Sequence, residues 1–90
     1  MKVIVVYDIT EDDARTRLRE YLKDLGGRWL QYSVFELDLN PQQLERLERE
    51  VRRILRRATG DVRILKPCSQ CYQKIRHIST RKRDLSRWEA

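Results

Sequence analysis

Val3-Ile4-Val5-Val6-Tyr7 is an unbroken run of β-branched and aromatic residues, the pattern of a strand central in its sheet and covered on both faces. Asp8 stands at its C-terminal end. Thr10 is the expected cap of a first helix, with Asp13 completing an approximate capping box. Ala14, Leu18, Tyr21, Leu22 and Leu25 form that helix's apolar stripe, and Gly26 and Gly27 stop it. From Arg28 to Leu39 the alternation changes to a period of two. Ser33, Phe35, Leu37 and Leu39 share one face and Val34, Glu36 and Asp38 the other, which predicts two strands parted near Tyr32 and Ser33. Asn40-Pro41-Gln42-Gln43 then combines a capping Asn, Pro at the first helical position and a Gln able to close a capping box. A second helix follows, with the stripe Leu44, Leu47, Val51, Ile54, Leu55 and Ala58, and Gly60 is expected to end it. Val62, Ile64 and Leu65 mark another strand, stopped by Pro67, and Tyr72 to Ile78 is β-prone enough to predict a short extra strand.

The order βαββαβ is that of the split βαβ, ferredoxin-like arrangement. It is an α+β fold in which two helices pack on one face of a four-stranded antiparallel sheet. We expect a single ferredoxin-like domain over 1–78 and a basic tail over 79–90. Two helices cover only one side of such a sheet. If they cover Val3, Val5 and Tyr7, the other side presents Ile4, Val6 and then the Asp8 carboxylate. Two such faces meeting across a two-fold axis bury the apolar patch and bring two Asp8 side chains together, so a homodimer is the expected state.

Composition sharpens this picture. Ninety residues suffice for one core but leave it marginal without help from a partner or a bound ion. Twenty Lys and Arg against fourteen Asp and Glu give a net charge of +6, which favours anionic partners such as nucleic acid. A charged content of 38% equally suits a solvated surface laced with ion pairs. No apolar stretch approaches the length of a membrane span, and two cysteines three residues apart cannot staple a secreted fold, so the expected location is cytoplasmic.

Asp8 is the first candidate for chemistry. It sits at the sheet edge where ligands collect, and one carboxylate doubled by symmetry is enough for Mg²⁺, which keeps several waters and takes substrate phosphate oxygens. Asp is equally common as a turn or helix-start residue at a strand end. Arg15 and Arg17 flank the first helix's stripe, and Arg28 begins the next strand. Guanidinium groups bind phosphate in bidentate fashion, and the same three also read as surface side chains leaning over the core edge. Cys68-x-x-Cys71 lacks a second pair or a spaced His cluster, so it is read as two small buried residues rather than zinc ligands. His77, the only histidine, is expected on an edge strand with no nucleophile to serve. From Tyr72 to Ala90 six basic residues (Lys74, Arg76, Arg81, Lys82, Arg83 and Arg87) oppose Asp84 and Glu89, a phosphate-contacting composition. Trp88 in the same stretch is also a candidate to pack on a partner subunit.

Val6-Tyr7-Asp8-Ile9, Arg15-x-Arg17, the Gly26-Gly27 pair and Gln31-Tyr32-Ser33-Val34-Phe35-Glu36 together resemble the CRISPR-associated protein two family. The resemblance runs from the first strand through Leu39 and loosely to Cys71. It implies a ferredoxin-like homodimer in which Asp8 faces its twin and binds a divalent metal, Mg²⁺. Arg15, Arg17 and Arg28 fall on the family's basic residues, and Ser33 and Phe35 on structural positions lining the interface. The implied activity is a Mg²⁺-dependent endonuclease on single-stranded RNA, double-stranded DNA or both, in CRISPR adaptation and antiviral defence. The alternative it implies is a non-catalytic DNA-binding scaffold that bridges dimers of the CRISPR integrase subunit. An RNA-recognition module shares the βαββαβ order, but its glycine-and-aromatic third strand is not matched by Phe35-Glu36-Leu37.

Overall fold

The computed structural model describes residues 1–78, and the basic stretch expected over 79–90 lies outside them. The chain runs β1 (Lys2–Ile9), α1 (Asp12–Asp24), β2 (Arg28–Gln31), β3 (Val34–Asp38), α2 (Pro41–Leu55), β4 (Gly60–Leu65) and α3 (Ser69–Gln73). The strands form one sheet in the order β2-β3-β1-β4, every neighbour antiparallel, so β1 and β3 occupy the middle. This is the α+β, ferredoxin-like arrangement that the hydrophobic pattern predicts.

Alternation along β1 decides which face is buried. Val3, Val5, Tyr7 and Ile9 are enclosed with Phe35 and Leu37 of β3, Leu39 just after it, Leu18 and Leu22 of α1, and Leu44, Leu47, Val51 and Ile54 of α2. Ile4 is half-buried, whereas Val6 and Asp8 are exposed on the opposite side. The continuous apolar run of β1 thus belongs to a central strand with only one face covered by α1 and α2, rather than both.

The ends of both long helices are set locally. At α2, Asn40 Oδ1 accepts from the Gln43 amide at 2.8 Å and Gln43 Oε1 accepts from the Asn40 amide at 3.0 Å, with Pro41 at the first turn. Because this reciprocal pair satisfies two amides that the helix itself cannot, Asn40→Ala is expected to lower stability by about 1 kcal/mol, read as a fall in the urea midpoint. At the end of α1, the Gly26 amide donates to the Lys23 carbonyl and the Gly27 amide to the Leu22 carbonyl, both at 2.9 Å. Gly26 adopts φ 81°, the left-handed geometry this helix stop requires. The start of α1 differs from expectation. Glu11 rather than Thr10 holds the capping position, with no side-chain cap, because the Thr10 amide is drawn to the Thr59 carbonyl at 2.9 Å and the Glu11 carboxylate accepts from the Thr59 amide at 2.7 Å.

Three further expectations are corrected. Gly60 does not end α2, which stops at Leu55 with Arg56 as its cap; Gly60 is the first residue of β4, opposite Ile9. The short strand predicted over 72–78 does not form: Ser69–Gln73 is helical, and 74–78, which includes His77, has no regular structure. Cys68 and Cys71 are exposed, not buried. Cys68 caps α3 through its sulfur, which accepts from the Cys71 amide at 3.4 Å and is held below the ordinary thiol pKa by that bond.

α3 returns across the bare face of the sheet. There the Tyr72 hydroxyl donates to Glu36 Oε2, and the Lys2 ammonium lies 5.5 Å from the Tyr72 ring centroid. Glu36, only 2% exposed, is thus covered at one end of a face that is open at the other. Burial and the neighbouring carboxylate push the Tyr72 hydroxyl up to about 12, against a partial opposing effect of Arg28. Since the folded-state value is raised, this group's contribution is whole below the ordinary tyrosine value of about 10 and is lost as pH climbs from there through about 12. Between those limits the melting temperature of the wild type is expected to fall more steeply with pH than that of Tyr72→Phe, in a paired thermal-melt series.

Candidate functional site

β1 and β4 are joined in a register that sets Ile4 opposite Leu65, Val6 opposite Arg63 and Asp8 opposite Asp61. Directly opposed residues of an antiparallel pair share a face, with Cβ atoms about 5 Å apart. Two exposed carboxylates therefore stand side by side at the rim of the bare face. Like charges so placed repel, and neither Asp8 nor Asp61 makes an ion pair among the described residues.

The backbone beneath the pair is tightly specified. Thr59 binds the Thr10 amide and the Glu11 carboxylate, tying the loop after β1 to the start of β4. The same bond from the Thr59 amide holds the Glu11 carboxyl below its usual pKa. Gly60 lies so close to β1 that a Cβ there would sit 2.1 Å from the Asp8 carbonyl oxygen. Arg15 locks the other side: Nη1 donates to the carbonyls of Ile9 at 2.9 Å and Thr10 at 3.0 Å, and Nη2 pairs with Asp12.

Below the acidic pair the bare face turns apolar. Ile4 and Val34 are half-buried, while Val6 is 36% and Leu65 48% exposed.

The predicted arginines do not converge on Asp8. Arg15 is adjacent but engaged with backbone. Arg17 projects to the other side of α1, lining a crevice with Asp13, Ala14, Ile54 and Arg57 on the helical layer. Two positions on a helix are 200° apart, so residues 15 and 17 cannot serve one strand of ligand from the same side. Arg28 is on the bare face opposite Glu36, which in turn is opposite Ile4. That places it four residues from Asp8 along the strand direction and two strands over, roughly 16 Å away.

Phe35 is fully enclosed in the core, on the helix side of the sheet, so its role is structural and its side chain does not line a surface between copies. Ser33 forms the β2–β3 turn at φ 66°, its carbonyl accepting from the Tyr7 amide at 3.1 Å.

Sequence reasoning missed two residues. Asp61 is invisible until the register of β4 is known. Arg19, one helical turn after Arg15, shares its side of α1 and joins Tyr7, Arg15, Trp29, Tyr32 and Ser33 around a small notch beside the β2–β3 turn; the four-residue spacing was the available signal. Burial raises the Tyr7 hydroxyl above its ordinary pKa, with Arg19 and Arg15 opposing the shift.

A carboxylate pair suits Mg²⁺, which commonly takes one or two protein carboxylates and keeps the rest of its shell for water and phosphate. Among the described residues no group of three or more His, Cys, Asp or Glu forms a fuller cage. No helix among them is long and apolar enough to cross a membrane.

The architecture and the site together define a ferredoxin-like α+β protein with an acidic pair at the rim of a sheet face that the two long helices leave bare. Residues 1–75 match the model of the family described as CRISPR associated protein Cas2, and the chain belongs to that family. It is 38% identical over 68 residues to CRISPR-associated endoribonuclease Cas2 1 of Archaeoglobus fulgidus, covering 76% of this chain and 72% of the relative. It is 38% identical over 66 residues to a Cas1/Cas2 endonuclease fusion of Thermoproteus tenax, covering 73% of this chain and 25% of that longer protein. Among solved structures, the hypothetical protein TT1823 of Thermus thermophilus superposes with a TM-score of 0.68 at 37% identity, covering 76% of this chain and 82% of that one. Streptococcus pyogenes Cas2, at 24% identity, shares the fold with a TM-score of 0.69 over 88% of this chain and 100% of its own.

Proposed function

We propose that this chain is a Mg²⁺-dependent endonuclease of the CRISPR adaptation machinery, active on single-stranded RNA, double-stranded DNA or both, and that it works as a homodimer. The observation that carries the reading is the unneutralised Asp8–Asp61 pair, set across β1 and β4 on a face that also presents Ile4, Val6 and Leu65 beside the exposed Arg63. Ile4, Val6 and Leu65 of two copies bury one another across a two-fold axis, and the acidic pairs of both copies then flank the axis. Asp8 and Asp61 hold Mg²⁺ through their carboxylates. Bound there, the ion supplies Lewis-acid polarisation of a phosphodiester. Arg63, next along the bare face, and the overall charge of +6 draw the polyanion to a site whose own carboxylates repel it. Arg15 and Gly60 keep the end of β1 in place.

A second reading, a DNA-binding scaffold for the integrase subunit, is favoured by the same net charge and by the relative joined to Cas1 in one chain. One experiment separates the two. Labelled single-stranded RNA and duplex DNA are incubated with the protein in Mg²⁺ or EDTA. Cleavage that disappears on chelation supports the nuclease. Tight, steeply salt-dependent duplex binding with no cleavage in either buffer assigns the chain to the scaffold.

A further inference from the structure

The β2–β3 turn lifts Tyr32 clear of the protein surface: at 77% it is the most exposed aromatic residue among the described residues. The turn is bound to β1 through the Ser33 carbonyl and the Tyr7 amide, so Tyr32 stands one residue from the strand end that carries Asp8. Beside it, Tyr7, Arg15, Arg19, Trp29 and Ser33 line the notch, whose volume is about 30 Å³. That space accepts an oxygen or two of a polar group but not a nucleobase, which leaves the outer face of Tyr32 as the only platform there for a ring.

The two arginines at the notch are not equivalent. Arg15 spends its guanidinium on two backbone carbonyls and Asp12. Arg19 makes no ion pair among the described residues. The notch lies on the helix side of the sheet, at the same strand ends as the acidic pair but on the other face. A cation next to an exposed aromatic ring matches how proteins hold unpaired nucleotides: a ring stacks the base and a guanidinium takes the flanking phosphate.

We infer that this notch is a subsite for one unpaired nucleotide of single-stranded nucleic acid, with Tyr32 stacking the base and Arg19 meeting the adjacent phosphate. The inference rests on the nucleic-acid reading above and adds a preference for unpaired strands, because a base within a duplex offers no free face.

The test is binding without metal, so that it is independent of cleavage. Trp29 lines the notch and Trp88 is the only other tryptophan, so a Trp88→Phe background makes Trp29 the reporter. In EDTA, a short oligouridylate is expected to change Trp29 emission saturably. Tyr32→Ala is expected to weaken that binding about tenfold and Tyr32→Phe to preserve it. An abasic oligomer of equal length should bind more weakly and be indifferent to Tyr32→Ala. Arg19→Ala should weaken both ligands and reduce the slope of log affinity against log salt by about one.

A Trp29 signal that ignores the oligouridylate overturns the inference. So does a Tyr32→Ala loss that is absent, is equal for the abasic strand, or is shared by Tyr32→Phe. Circular dichroism confirms that each variant is folded. If notch binding behaves as expected while the wild type fails to cleave in Mg²⁺, the nuclease reading falls and the subsite stands.

Discussion

Asp8→Asn is expected to lower Mg²⁺-dependent cleavage by roughly a thousandfold while leaving the fold and metal-free nucleic-acid binding intact. The magnitude follows from what a carboxylate-held ion contributes: several kcal/mol of stabilisation of developing phosphate charge, at about 1.4 kcal/mol per factor of ten. Asn keeps the shape and removes the charge, so lost packing does not confuse the result. Asp61→Asn should lower cleavage in the same sense, since it removes the other carboxylate that would hold the ion.

The same substitutions carry an opposite sign in stability. In metal-free buffer two opposed carboxylates repel, so removing either is expected to raise the melting temperature slightly. In excess Mg²⁺ the wild type should gain stability by mass action and Asp8→Asn should not. Cleavage by Asp8→Asn equal to wild type, with an unchanged Mg²⁺ response of the melt, would remove Asp8 from the site and place the cleavage chemistry elsewhere on the chain.

Much of this was readable in the chain. Period-two alternation separated the two faces of β1 and of β3, because a one-residue slip would move a whole set to the other side; that Phe35 belongs to the helix side rather than to a surface between copies was settled only by packing. Asn40-Pro41 and the paired glycines set helix ends through bonds that span only a few residues, and such local chemistry survives without tertiary information. The location of Asp8 at the end of the central strand came from the unbroken β-branched run before it.

The unread parts are those decided by contacts distant in sequence. Asp61 becomes Asp8's neighbour only through the β4 register, which nothing within residues 60–65 encodes. Tyr72 to Ile78 has strand-like composition, yet Cys68 caps a short helix there and Tyr72 finds Glu36 across the sheet, a contact 36 residues distant that overrides local preference. Thr10 is the better capping residue by type, but Thr59 from the far end of the chain takes its amide and leaves Glu11 in the role. Arg17 and Arg28 matched the resemblance, and the fold sends one to the helical layer and the other to the opposite end of the sheet. Family pattern placed them in sequence; only the direction of each side chain shows which ligand each is able to reach.

Gly60→Ala is expected to be the most damaging single-methyl change in the described chain, lowering stability by about 3 kcal/mol and weakening the Mg²⁺ response of the melt. Its added Cβ would lie 2.1 Å from the Asp8 carbonyl oxygen, 2.7 Å from the Ile9 Cα and 3.0 Å from the Asp8 carbonyl carbon. All three are backbone atoms, so no side chain can rotate aside and β4 must move away from β1 at the point where Asp61 meets Asp8. The native φ of 153° adds strain for any residue with a Cβ. Overpacking and backbone strain each amount to about 1–3 kcal/mol, and a domain of this size holds only about 5–15 kcal/mol in total. Gly26→Ala is the matched control: φ is 81° and nothing lies within 4 Å of its added Cβ, so it carries the backbone penalty alone, about 1–2 kcal/mol. Urea midpoints for the two variants, with the Mg²⁺-induced shift in melting temperature, separate contact from conformation. If Gly60→Ala is no worse than Gly26→Ala and its metal response is unchanged, the close approach of β4 to the Asp8 carbonyl does not position the acidic pair.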